Sequence, residues 1–310
     1  MELIRSPRRP THPALATAVA IGNFDGLHLG HQALIEAAIG LAEADDLAPA
    51  LMCFEPLPMT FFNPDRPVRR LMSVRDKLAG AHRAGVQQTF MQRFNRAFSQ
   101  LSPEAFVQRC VVDEARARHV VVGEDFRFGA RALGDVSALR QFGARFGFEV
   151  HTVPAVKAWG QRIASTGIRD ALLGGDLDTA ESMLGRSYAI SGRVLRGQQL
   201  GRQLGYPTIN LRPPTPPAVH GVYAVRVSAA GDTGLSGHPG VASIGQRPTV
   251  GGLDWLLEVH LFDYDGVLYG QHVEVEFAAY IRPEAHFDSL EAMVDAMHDD
   301  AKTARAHLHA

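Results

Sequence analysis

Lysine is nearly missing from this 310-residue chain: Lys77, Lys157 and Lys302 are all it has. None follows a glycine, so there is no Gly-Lys-Ser/Thr loop and no Walker-type phosphate cradle. His-Glu-x-x-His and Gly-x-Ser-x-Gly are absent too, which removes the usual sequence support for zinc peptidases and α/β-hydrolases. Two cysteines, Cys53 and Cys110, are too few for a disulfide framework or a zinc site. Both stand in apolar surroundings, as buried small hydrophobes do. No apolar run approaches the ~20 residues that span a bilayer. Arg5, Pro7, Arg8, Arg9 and Pro10 form a basic stretch with no apolar segment after it, unlike a signal peptide. The formal net charge is −2 and the pI near 6.7, which disfavours a broadly basic nucleic-acid binder. There is no internal repeat and no low-complexity tract. These absences predict a cytoplasmic protein, monomeric or weakly self-associating, with neither membrane nor nucleic acid as a partner.

What is present suits globular folding. Apolar residues make up 46 % and charged residues 21 %, and mean hydropathy is −0.06. The length is enough for two cores, at roughly 100–200 residues per domain. In the first half, strand-like segments at 17–22, 48–54, 89–94, 119–122 and 148–153 alternate with helical spacing at 30–44, 73–84, 102–116 and 136–146. Ser102 and Pro103 make a good helix start. This alternation predicts an α/β fold with a doubly wound, mostly parallel sheet, whose ligands bind at the carboxyl ends of the strands. Near Leu184 the texture changes. Short β-rich segments follow at 188–195, 222–227, 241–244, 256–262 and 273–279, broken by Gly/Pro turns, with Asp265-Gly266 as a hairpin signal. They predict a small antiparallel barrel. A helix at 289–308 closes the chain, with Asp288 and Glu291 as a capping box and Leu290, Met293, Val294 and Met297 packing onto the barrel.

Between the first strand and first helix lies Gly22-Asn23-Phe24-Asp25-Gly26-Leu27-His28-Leu29-Gly30-His31. A helix N-terminus offers free N–H groups and positive potential to a phosphate. His28 and His31 are placed to donate to phosphate oxygens as charge develops. Ser165-Thr166-Gly167-Ile168-Arg169 opens a later helix, where hydroxyls and a guanidinium can do what lysines do elsewhere. Gly123-Glu124-Asp125-Phe126-Arg127-Phe128-Gly129 follows a buried strand; its phenylalanines either stack a flat ring or merely pack a turn. In the barrel half, Gly192 and Gly197 lead into Gly201-Arg202-Gln203-Leu204-Gly205-Tyr206-Pro207-Thr208-Ile209-Asn210. Thr208 and Asn210 share one face of an extended segment and offer hard oxygen ligands suited to Mg²⁺ beside phosphates. Glu258, in an apolar strand, reads equally as a general base for a hydroxyl or as a solvent-facing glutamate.

Taken in order, these motifs resemble the bacterial bifunctional riboflavin kinase / FAD synthetase (FMN adenylyltransferase) family. The resemblance also covers Leu184-Gly185-Arg186, Gly221-Val222-Tyr223, residues 244–249, and Ile281-Arg282-Pro283-Glu284 with Phe287. It implies a Rossmann-like nucleotidylyltransferase domain over 1–185 and a kinase barrel with its C-terminal helix over 186–310. The first would transfer AMP from ATP to FMN, giving FAD and pyrophosphate; the second would phosphorylate riboflavin with ATP. Carried over by resemblance, Asn23, Phe24, Gly26, His28, His31, Ser165, Thr166 and Arg169 serve the adenylyl-transfer nucleotide, with Asp125, Phe126 and Phe128 on its flavin. Gly192, Gly197, Gly201, Arg202, Gly205 and Pro207 serve the kinase nucleotide, Thr208 and Asn210 the Mg²⁺, Glu258 is the kinase base, and Arg282 lies on its flavin side. Departures from the pattern stand at Leu57, Ala132, Ala164 and Ser243. They leave a riboflavin kinase alone as an alternative. Other classes are an RNA-binding synthetase-like protein, since His-x-Gly-His also marks some aminoacyl-tRNA synthetases, and a non-catalytic flavin carrier.

Overall fold

In the computed structural model, which describes residues 1–5, 15–197, 205–229, 235–249 and 252–309, the chain divides into two units. One comprises Met1–Val68 and Val74–Ala164, the other Arg69–Ser73 and Ser165–Ala310. The first is built on β1 (Glu2–Arg5), β2 (Thr17–Ile21), β3 (Ala48–Glu55), β4 (Gln88–Arg93), β5 (Ala117–Gly123) and β6 (Glu149–Val153). They pair in parallel, in the order β1-β4-β3-β2-β5-β6. All five residues of β2 are buried, so the strand reads as a continuous apolar run, as strands covered on both faces do. The order runs outward from β2 through β3 and β4 on one side and through β5 and β6 on the other. The doubly wound reading therefore holds, with a switch point between β2 and β5.

Helices α1 (Leu29–Ala44), α2 (Pro58–Phe62), α3 (Val74–Arg83), α4 (Arg96–Ser99), α5 (Pro103–Phe106) and α6 (Val136–Phe146) cover this sheet. The segment 102–116 is not the single α-helix its spacing predicts. Ser102 does cap α5, its Oγ accepting from the Ala105 N–H at 3.1 Å, but Val107–Glu114 continues as a π-helix. The wider turn aligns side chains five apart. Gln108 reaches Asp113 at 2.8 Å and Arg109 reaches Glu114 at 3.3 Å. It also keeps Val107, Cys110 and Val111 in the core, where burial pushes the Cys110 thiol pKa far up. A two-stranded hairpin, β7 (Lys157–Ala158) and β8 (Gln161–Arg162), ends the unit.

The second unit opens with α7 (Ser165–Leu173) and α8 (Leu177–Leu184). Six antiparallel strands follow: β9 (Ala189–Arg193), β10 (Thr208–Leu211), β11 (Gly221–Ala229), β12 (His238–Thr249), β13 (Gly252–Leu261) and β14 (His272–Arg282). Their order is β10-β13-β12-β11-β14-β9, and an antiparallel bridge between Leu195 and Asn210 joins the two ends. The sheet thus curls toward closure, as the predicted barrel requires. Asp265-Gly266 forms no hairpin, because β13 pairs with β10 and β12 while β14 pairs with β11 and β9. Turn chemistry alone lost to the cross-strand packing of non-neighbours. Helix α9 (Leu290–Leu308) packs on β11, β12 and β14. Its cap is Ser289, whose Oγ accepts from the Ala292 N–H at 3.1 Å, and not Asp288. Nor does the stripe Leu290, Met293, Val294, Met297 bury itself: Leu290 is 56 % exposed and the two methionines line a cavity. The buried face is Asp300, Ala304 and Leu308 instead.

Candidate active sites

At the switch point, the turn after β2 delivers two histidines to the start of α1. His28 is the N-cap, and its Nδ1 accepts from the His31 backbone N–H at 3.3 Å. That bond leaves the neutral ring's proton on Nε2, which is then a donor. The His31 ring stacks on His28 with centroids 3.6 Å apart. Gly30 lies under this pair; a Cβ there would stand 3.2 Å from the His28 ring. His31 Nδ1 is buried with no hydrogen-bond partner. Burial, then His28, then Lys77 hold the His31 pKa well below its ordinary value, so the ring is neutral near pH 7. Phe24 is fully buried with its ring 5.1 Å from that of His31, and it supports the histidine from the core side. Gly26 takes a φ of 92°, a left-handed turn that favours glycine. Beneath the loop, the buried Lys77 ammonium donates to the Asn23 carbonyl and to Glu55, each at 2.9 Å.

Beside this loop opens a cavity of about 520 Å³. Asn23, Asp125, Phe126 and Phe128 all line it, so the structure brings these four predicted residues together. Phe126 and Phe128 stack on one another at 5.6 Å. Sequence reading missed most of the wall: Phe54, Phe62, Phe94, Phe98 and Phe106 complete it. They come from four separated segments, so no local pattern marks them. Asp125 is held by Arg162 through two hydrogen bonds of 2.7 and 2.8 Å. Those bonds keep its carboxyl below the usual carboxylate range. Such a cavity accepts a flat aromatic ring along its apolar wall and presents polar groups at one edge.

The second cavity, about 670 Å³, lies on the barrel. Strand register makes Glu258 of β13 the partner of Asn210 on one side and of Ser243 on the other. Thr208, Glu258, Ser243 and Arg282 line the cavity with Arg247, Glu284, Trp255 and Phe287. Arg247 spans two acids, reaching Glu284 at 2.7 Å and Glu258 at 3.4 Å. Glu258 therefore stands in the wall of a cavity, with its side chain 34 % exposed. Gly245 leaves room for this arrangement, since a Cβ there would overlap the Glu284 carboxylate. Arg282 is locked by Asp300 through bonds of 2.7 and 2.6 Å and lies over Phe287. Asn210 is buried, its amide packed on Gly197, where a Cβ would overlap it. Gly192 lies in β9, close against Leu211. Gly205 has a φ of 81°, and the Pro207 carbonyl lies 2.9 Å from His260 Nδ1. Gly201 and Arg202 lie outside the described residues.

Ser165 and Thr166 occupy the first turn of α7, and the Arg169 Nε donates to the Arg69 carbonyl at 2.8 Å. These three fall in the second unit while His28 and His31 fall in the first.

Comparison with known proteins adds independent findings. The family model described as FAD synthetase matches residues 11–167, and that described as riboflavin kinase matches residues 184–308. A protein of Escherichia coli (strain K12), named bifunctional riboflavin kinase/FMN adenylyltransferase, is 41 % identical over 308 residues. The match covers 98 % of this chain and 97 % of that one. A Pseudomonas fluorescens protein of the same name is 41 % identical over 312 residues, covering 99 % and 97 %. Among solved structures, one named as a macrolide-efflux protein from Streptococcus pneumoniae superposes with a TM-score of 0.80 at 28 % identity, covering 98 % of this chain and 99 % of that one. Among the described residues, no helix here is long and apolar enough to cross a membrane.

Proposed function

This chain belongs to the bifunctional riboflavin kinase/FMN adenylyltransferase family, and from that premise we propose which of its residues carry the two reactions. Riboflavin is phosphorylated by ATP to FMN, and AMP is then transferred from ATP to FMN, giving FAD and pyrophosphate. Two full domain matches and bifunctional relatives give no support to a kinase acting alone. We set the border between the catalytic domains at 185/186.

In the kinase domain, Glu258 accepts the proton of the riboflavin ribityl hydroxyl as that oxygen bonds to the γ-phosphorus and the bond to ADP breaks. Arg247 holds the carboxylate in place. Thr208 and Asn210 share one face of β10, and their hydroxyl and amide oxygens are hard neutral donors of the kind Mg²⁺ takes, with phosphate oxygens completing its shell. Mg²⁺ held there would neutralise charge on the nucleotide phosphates. Gly192, Gly197, Gly201, Arg202, Gly205 and Pro207 serve the ATP of this reaction. Arg282, fixed by Asp300, faces the flavin. In the adenylyltransferase domain, His28 and His31 donate to phosphate oxygens as pyrophosphate leaves. Asn23, Phe24 and Gly26 serve the nucleotide of adenylyl transfer, a role we also give to Ser165, Thr166 and Arg169. Asp125, Phe126 and Phe128 receive the flavin of FMN. We read the enzyme as cytoplasmic, monomeric or weakly self-associating, with small molecules as its partners.

The observation that carries this division is that Glu258 with Thr208, and His28 with His31, belong to different units. Each reaction should therefore fail alone. Glu258→Gln is expected to abolish ADP release with riboflavin while FAD still forms from supplied FMN. His31→Ala is expected to do the reverse, read as pyrophosphate release with FMN. Loss of both activities in either folded variant defeats the assignment.

A further inference from the structure

At the end of the parallel sheet opposite the catalytic loops, three side chains converge on one point. His119 is the third residue of β5, and Glu149 and His151 are the first and third of β6. Parallel register pairs His119 with Glu149 and Val121 with His151, so all three project from one face. His119 Nδ1 lies 3.1 Å from His151 Nε2. Glu149 Oε2 is 3.9 Å from the former and 3.7 Å from the latter. Around a tetrahedral zinc with bonds of about 2.0–2.1 Å, neighbouring ligand atoms stand roughly 3.3 Å apart. The cluster is thus near ligating separation without rearrangement.

A second observation points the same way. The buried His119 turns its other nitrogen, Nε2, onto Asp45 Oδ2 at 2.6 Å. Asp45 is the C-cap of α1. This carboxylate takes the Nε2 proton as a hydrogen bond, which leaves His119 Nδ1 as an acceptor aimed into the cluster, where it meets His151 Nε2. A carboxylate–histidine pair of that kind is what orients and strengthens metal-ligating imidazoles. We propose that His119, His151 and Glu149 form a binding site for a zinc-like transition ion, with Asp45 as a positioning residue and water in the fourth place. Two imidazoles and one carboxylate suit zinc and its neighbours better than Mg²⁺, which prefers an oxygen shell. An ion entering between the two rings replaces the His151 Nε2 proton, and the ring then keeps its proton on Nδ1. Glu149, 74 % exposed at its side chain, leaves the site open to solvent.

The test uses the full chain without an affinity tag, stripped with chelator and titrated with Zn²⁺ alone by calorimetry and with Co²⁺ alone by visible absorption. One ion per chain is expected, with the intense bands of four-coordinate cobalt. His151→Ala should abolish those bands, Glu149→Gln should weaken binding, and Asp45→Asn should cut affinity about 10–100-fold. FAD formation with Mg-ATP should be unchanged in all three, which also confirms folding. Absence of one-to-one binding, or binding unaltered in both His151→Ala and Glu149→Gln, as scattered surface histidines would give, overturns the site. Glu149→Gln is a surface change and keeps the test decisive if His151→Ala fails to fold.

Discussion

Lys77 ties the Asn23 carbonyl to Glu55, and its side chain is only 2 % exposed. Replacing it with methionine removes the buried ammonium that bonds both Glu55 and the Asn23 carbonyl, and should destabilise the fold by roughly 3 kcal/mol. Urea unfolding of Lys77→Met is the measurement, and a midpoint equal to wild type refutes the role. His31 carries a pH prediction. Its folded pKa lies below the ordinary 6.5, so the unfolded chain takes up a proton that the fold excludes. The stability present above pH 6.5 is lost as pH falls below it. Urea midpoints should drop between pH 7 and 5, and drop less in His31→Gln. Gly245 was legible only as part of a motif, and its reason is tertiary. Gly245→Ala should push Glu284 off Arg247 and impair riboflavin phosphorylation, with FAD formation from FMN intact. The two histidines were readable because cap, glycine and helix start lie within four residues. Arg162 and Arg247 were not assigned roles, because their partners Asp125, Glu284 and Glu258 stand 37, 37 and 11 positions away.

Helix α9 illustrates the element scale. Asp288 and Ser289 both satisfy capping preferences, and the Ser289 side chain makes the bond. Ser289→Ala should cost about 1 kcal/mol and Asp288→Ala far less, compared by thermal unfolding. Helical spacing marked Leu290, Met293, Val294 and Met297 as a buried stripe, yet Met293 and Met297 border the barrel cavity. Apolar spacing identifies a face that avoids water but not what covers it. The π-helix at Val107–Glu114 escaped the sequence for a related reason. Its residues keep an α-like apolar pattern, and the extra residue per turn shows only when Gln108 meets Asp113 and Arg109 meets Glu114. The strand β1, four residues beside β4, carries too little periodicity to be seen.

At the scale of the whole molecule, each cavity is lined by residues of one unit. Mixing Glu258→Gln with His31→Ala should restore conversion of riboflavin to FAD, followed by chromatography, although neither variant achieves it alone. No FAD from the mixture would mean that FMN is not exchanged between chains. The sequence by itself determined the alternation of the longer strands and helices, the change of texture near Leu184, and the motif residues that lie within a few positions of one another, because periodicity, caps and turns are local. Tertiary structure alone decided the phenylalanine wall of the first cavity, the Arg247 bridge between two acids, and the convergence of His119, Glu149 and His151. Those groups meet through strand pairing and packing between distant segments, and nothing in a neighbouring residue records which strand will lie alongside.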